Sequence, residues 1–312
     1  MNVADSRGIT RTAWALVKKT ISEVGDDKIP RLAASLAYYT LLSLSPLLVL
    51  AVAVAGLVFG EDAARGQIAQ QLQQVFGVEA GDAIQAMLAH AKHPGSGVLG
   101  SIVGVIVLLF GASGVFGELQ DSLNTIWEVA PSPGRGILGV VKDRFLSFTM
   151  VLGVAFLLLV SLVVSAALAG LGHWLSSFAG VEWLWQGVNL VISFAMIAVL
   201  FALVFKVIPD VKLRWRDVWL GALVTAALFT LGKFLIGLYV GKAGVASPYG
   251  AAGSLVVIVV WVFYSAHILF IGAEFTQVYA RAFGSHIEPA RGAVPLTEEA
   301  RAQQGIPHSS PS

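Results

Sequence analysis

The sequence predicts an all-α polytopic membrane protein, six transmembrane helices with amphipathic helices at the interface, and three observations predict it. Of 312 residues, 56% are hydrophobic and only 12% charged, with mean hydropathy +0.79, whereas soluble domains carry about 25% charged residues. Six apolar runs, near 36–60, 98–117, 145–170, 188–208, 218–240 and 252–278, match the roughly 20 residues needed to cross about 30 Å of hydrocarbon. Lys and Arg are also distributed unevenly: sixteen fall on one side of the alternating spans and three on the other, with Lys233 inside the fifth. By the positive-inside rule both termini are expected in the cytoplasm, in the cell inner membrane.

The elements follow in order. Residues 1–30 form a cytoplasmic segment in which Trp14, Val17, Ile21 and Val24 make an apolar stripe beside Lys18 and Lys19. That pattern suits an interfacial helix on an anionic leaflet, so membrane lipids are the expected partner. The first span begins too late and runs too long for a secretory signal, and it is read as a retained helix despite "AVAVAG" at 51–56. Residues 61–97 place Ile68, Leu72 and Val75, then Ile84, Met87 and Leu88, at helical spacing. Two external amphipathic helices are expected there. The transmembrane domain extends over 31–283, and beyond it the Pro-, Gly- and Ser-rich tail, 284–312, is expected to be a disordered cytoplasmic tail.

The second span carries Gly97, Gly100, Gly104, Gly111 and Gly114 on one face. Small residues let helix backbones approach in lipid, where no hydrophobic force drives association, so these five are expected to be packing positions. The same face then turns polar through Glu118 and Asp121, with Asn124 close by. At 1.5 Å per residue Glu118 lies about 30 Å along the helix, at the cytoplasmic edge of the hydrocarbon. In the sixth span Tyr264, His267 and Glu274 share a face, and in the first span Tyr38 lies on a polar face ending at the same level. Intramembrane polar and ionisable groups commonly line substrate paths, so these seven residues are expected to form a polar path between helices 1, 2 and 6. Helix packing is the alternative reading of each.

Several classes are excluded or disfavoured. There are no cysteines, hence no disulfide, thiolate metal site or cysteine nucleophile. A net charge of +1 gives no electrostatic footprint for nucleic acid. The six histidines are scattered and no zinc-protease, serine-hydrolase or phosphate-loop motif occurs, so neither enzymatic activity nor a metal or cofactor is expected.

Three stretches in order, "AASLAYYTLLSLSPLLVL", "FGASGVFGELQDSLNTIWEV" and "SPYGAAGSLVVIVVWVFYSAHILFIGAEFTQVYAR", resemble the YihY/BrkB family of bacterial inner-membrane proteins across roughly residues 15–283. The resemblance implies a six-helix inner-membrane protein. Some family members are linked to serum resistance and virulence, and many carry an old ribonuclease label regarded as misassigned. A transporter, of a lipid or envelope precursor, is the leading functional expectation; an envelope-assembly or scaffolding role is the alternative.

Overall fold

The computed structural model describes residues 3–60, 62, 65, 66, 68, 98–132, 182–243, 253–284 and 287–303. Helix α1 (Val3–Asp26) and helix α2 (Ile29–Phe59) are joined by a tight turn in which Lys28 takes left-handed backbone, φ 54°. Pro30 fits the first turn of α2, where its missing N–H removes no helical bond. Gly60 closes that helix at φ 84°, its N–H donating to the Gly56 carbonyl. Four more long helices follow: α3 (Val98–Ile126), α4 (Glu182–Val207), α5 (Trp215–Ala243) and α6 (Gly253–Phe283).

Helix α6 is central and packs on α1, α2, α3 and α5, while α2 also packs on α3 and α4 flanks α5. The core runs through this arrangement, from Ile29, Leu32 and Leu36 of α2 to Leu123 and Ile126 of α3, Phe205 of α4, Val218 and Ala222 of α5 and Phe270 and Ala273 of α6. Stretches Ile29–Val49, Leu190–Val207, Trp215–Ile236 and Leu255–Phe283 are long and apolar enough to cross a membrane. Their outer faces expose large apolar side chains such as Leu190, Leu231 and Phe234. The described residues thus carry the helical membrane class with four such stretches. The expected second span falls on α3, and the one expected at 145–170 lies outside the described residues, as does most of 61–97. Ile68, the one apolar residue of that segment described, packs against Leu48, Val52, Val257 and Ile258.

Helices α5 and α6 meet through a reciprocal device. Each carries Gly-x-x-x-Thr, "GALVT" at 221–225 and "GAEFT" at 272–276. Thr225 of α5 lies on Gly272 of α6, and Thr276 of α6 lies on Gly221 of α5; a Cβ on either glycine would stand 2.8 Å from the facing threonine Cβ. Both hydroxyls donate to the carbonyl four residues back in their own helix, Thr225 to Gly221 at 2.7 Å and Thr276 to Gly272 at 2.6 Å. No buried hydroxyl is left without a partner there, and the threonine Oγ1 atoms fill the glycine notches. This is the small-xxx-small contact that membrane helices use. Further along, Gly232 takes the ring of Tyr264 in the same way.

The tail departs from expectation. Residues 287–303 are not disordered: β3 (Glu288–Pro289), β4 (Ala293–Pro295) and helix α7 (Glu298–Gln303) form a strap across one end of the helices. Strand β4 pairs antiparallel with β1 (Val129–Pro131), which follows α3, and β3 pairs with β2 (Val211–Lys212), between α4 and α5. Pro-, Gly- and Ser-rich composition without periodicity predicts disorder there. Backbone pairing needs little from side chains, and prolines at the strand ends leave the ladder bonds intact.

Candidate functional site

The strapped end collects the charged groups of the described bundle. Asp27 sits at the α1–α2 turn and is 2% exposed; Glu274, on α6, is 0% exposed. Their carboxyls lie within hydrogen-bonding reach of one another, and neither oxygen of Glu274 has any other partner. Glu274 is two residues beyond Gly272, so it points away from the face that grips α5 and toward α1 and α2. From the strap, Arg301 of α7 reaches in and is only 4% exposed. Its guanidinium stands 3.7 Å from Asp27 Oδ1 and 2.7 Å from Glu128 Oε1. The other oxygen of Glu128 accepts from Arg281 at 2.6 Å.

Glu128 lies two residues past the end of α3 and holds left-handed backbone, φ 54°, a conformation unusual for a side chain of this kind. One residue thereby ties Arg281 of α6 to Arg301 of the strap. Burial pushes the Asp27 carboxyl up, from 3.8 to about 6, against the lowering influence of its Glu274 neighbour and of Arg301; Glu128 and Glu23 push it further up. Around these groups lie buried polar atoms without hydrogen-bond partners in the chain: Asp27 Oδ1, Trp127 Nε1, Gln277 Oε1 and Arg301 Nε. Gln277, one turn beyond Glu274, donates to the Ile126 carbonyl and holds the end of α3 against α6. Polar groups in the interior normally find partners, so this concentration of unsatisfied atoms distinguishes the strapped end from the rest of the described core.

The residues expected to form a polar path are distributed over several settings. Glu274 enters this chamber. Asn124 does not: it clamps the α4–α5 connection, donating to Asp210 Oδ2 at 3.0 Å and accepting from the Asp210 N–H at 2.8 Å, with Gln120 on the same carboxylate at 3.2 Å. Glu118 is half-buried, Asp121 is exposed and Tyr38 is 60% exposed. Tyr264 lies against Gly232 of α5. His267 bonds within its own helix, Nδ1–H donating to the Phe263 carbonyl at 3.0 Å, and its ring meets Phe263 edge-on. Of the expected packing glycines, Gly111 abuts Pro46 and Gly114 abuts Tyr39 and Ser43, all on α2, and the Ser43 hydroxyl donates to the Gly111 carbonyl at 2.6 Å. Gly97 and the side-chain surroundings of Gly100 and Gly104 lie outside the described residues. Among the described residues no group of three His, Asp or Glu side chains could hold a metal ion.

Asp27, Glu128 and Arg301 were not singled out from the sequence. Asp27 and Glu128 lie at turns flanking apolar helices, where a carboxylate ordinarily signals nothing more than solvent.

Long apolar helices, a buried carboxyl on the central one and a charged strap across one end define a polytopic helical membrane protein with a buried polar cluster. Residues 20–297 match the profile of the family described as Virulence factor BrkB, and the chain belongs to that family. It is 30% identical over 280 residues to a UPF0761 membrane protein of Verminephrobacter eiseniae, covering 86% of this chain and 63% of that one. A UPF0761 membrane protein of Tolumonas auensis is 28% identical over 255 residues, covering 81% of each. The chain spans about three fifths of the length of the Verminephrobacter relative and of one from Pseudomonas paraeruginosa. No solved structure matches the chain.

Proposed function

We propose that the chain is a transporter of the bacterial inner membrane, moving a lipid or envelope precursor, with the strapped end facing the cytoplasm. The observation that carries this reading is Glu274: wholly buried on the central helix, within hydrogen-bonding reach of a second carboxyl and with no partner beyond it. A structural carboxylate in a membrane helix would be expected to have its oxygens satisfied, because stranding them costs free energy without return in stability. A carboxyl that must exchange a proton or a ligand has to leave them available. The distribution of Lys and Arg supports the orientation. The exposed Trp14 and Ile21 of α1, beside Lys18 and Lys19, suit the headgroup level of an anionic leaflet. The residues carrying the path are therefore Glu274 and Asp27 first. Tyr264 and His267 act as packing groups on the same helix, while Glu118 and Asp121 form its outer margin.

The test is genetic and biochemical together. Glu274→Gln keeps the side chain's shape while removing its charge and one acceptor. In a strain lacking the protein it should fail to restore the envelope phenotype while reaching the membrane at normal level. Full complementation by Glu274→Gln would favour the competing reading, an envelope scaffold held together by its strap and glycine contacts.

A further inference from the structure

A guanidinium buried between acidic groups, delivered by a short helix from a strap outside the bundle, is an arrangement with an identifiable occupant and a removable one. Four acids face the chamber: Glu23 on α1, Asp27 at the turn, Glu128 after α3 and Glu274 on α6. Two cations answer them, Arg281 and Arg301, both held by Glu128. Arg281 is fixed to the end of α6. Arg301 belongs to the strap, and its contact with Asp27 is loose, 3.7 Å, with its Nε unpartnered and Glu274 reached by no arginine, its neighbour being the Asp27 carboxyl. The arginine therefore sits in the chamber without filling its hydrogen-bonding capacity. Beside it a cleft of about 370 Å³ opens between Trp127, Glu128, Arg281 and the strap residues Ile287, Pro289 and Pro295. That cleft leads to Glu128, the residue that holds Arg301 in place.

We propose that Asp27, Glu128 and Glu274 form a binding site for a guanidinium- or ammonium-bearing cation, and that Arg301 occupies this site as a tethered stand-in while the strap is closed. Arg301 stands 2.7 Å from Glu128 and 3.7 Å from Asp27, so the position it leaves when the strap opens is one lined by carboxyl oxygens and suited to a positive group. A guanidinium presents paired N–H donors that match a carboxylate, and an ammonium presents three rotatable ones. The strap is well suited to release: its short strands pair through a few backbone bonds, and the α7 helix has six residues. The inference deepens the transport reading by naming a substrate class and rests on it for physiological meaning. Its test is a binding measurement that does not depend on transport.

Full-length protein in lipid nanodiscs is treated with a water-soluble carbodiimide and an amine, and modification of Glu274 and Asp27 is read by peptide mass spectrometry. Wild type should react slowly. Arg301→Ala should react about tenfold faster, as a site closed by a local contact does once that contact is removed. Low-millimolar guanidinium chloride or methylammonium chloride should restore the protection in Arg301→Ala, whereas sodium chloride at the same concentration should not. A chain ending at Thr297 keeps both strands and removes the arginine, so it serves if Arg301→Ala does not fold. Equal reactivity of wild type and both variants would overturn the strap as occupant. Faster reaction that guanidinium, methylammonium and sodium leave equally unprotected would overturn the cation site. Neither result bears on complementation by Glu274→Gln, so failure here and failure of the transport reading are distinguishable.

Discussion

The α5–α6 contact and the strapped end use opposite means to hold helices together. At the first, two glycines and two threonines interlock with every hydroxyl satisfied inside its own helix and no net charge present. At the second, acids and arginines from α1, α3, α6 and the strap meet with several polar atoms unsatisfied. The first arrangement has no slack, because its atoms already touch. The second has slack by construction, since buried ion pairs recover only part of the cost of leaving water. Rigidity and adjustability are thus segregated within one helix: α6 carries Thr276 on the rigid side and Glu274 on the adjustable one, two residues apart.

The sharpest way to break this contrast is Gly272→Leu. A side chain there would enter Thr225, and an error of more than about 4 kcal/mol, beyond ordinary overpacking, leaves no route to the native pairing. The protein should fail to yield a monodisperse peak in detergent. Gly272→Ala together with Thr225→Ala should recover part of the loss relative to Gly272→Ala alone, and an unchanged melting temperature in Gly272→Ala would show that the helices do not touch there.

Arg301→Ala should cost less, about 2–3 kcal/mol, because Glu128 retains partial contact with water and a second arginine. Thermal melting in detergent measures it. A loss as large as that of Gly272→Leu would mean that the strapped end is as rigid as the helix contact.

Asp27 supplies a pH signature that the glycine contact cannot have. Its folded value, about 6, lies above its ordinary 3.8, so the folded state holds the proton more tightly than the unfolded chain does. The stability this contributes is complete below about pH 3.8 and is lost as pH rises through about 6. Asp27→Asn should remove that component, leaving a flatter melting temperature between pH 4 and about 6.5 than wild type has. Equal slopes in the two proteins would assign the pH dependence to other groups.

The smallest effect belongs to the outer edge of the strap. Lys212 and Glu288 pair at 3.3 Å with side chains 61% and 67% exposed. Lys212→Ala should change stability by less than about 1 kcal/mol, and less again in high salt.

These outcomes bear on what the sequence made legible. The helical membrane class followed from composition and run length, because lipid admits few solutions for a buried backbone. Gly111 and Gly114 were legible as packing positions, since a glycine stripe on an apolar helix has few other uses. The reciprocal pair was equally visible as two Gly-x-x-x-Thr segments, but neither forms a long stripe, and only their antiparallel register makes them a unit. Glu274 was legible as an ionisable group within a span. Its companions were not, because Asp27, Glu128 and Arg301 are separated by more than a hundred residues each and lie at helix ends or in a tail whose composition signals solvent. The link between Asn124 and Asp210 was hidden for the same reason: polar residues at one depth can belong to a path or to a clamp, and depth alone does not separate them.

The threonine–glycine contact also has a mechanical consequence. Sliding α5 along α6 by one residue, about 1.5 Å, would drive both threonines out of their notches at once and against backbone with no space for them. The pair has one detent and no neighbouring one, so it resists shear in both directions and behaves as a single beam. Among the described residues, the contacts of α2 with α3 and α6 and the turn carrying Lys28 have no such interlock. A cross-link between α5 and α6 should leave complementation unchanged, while one between α2 and α6 should lower it if activity needs those helices to move.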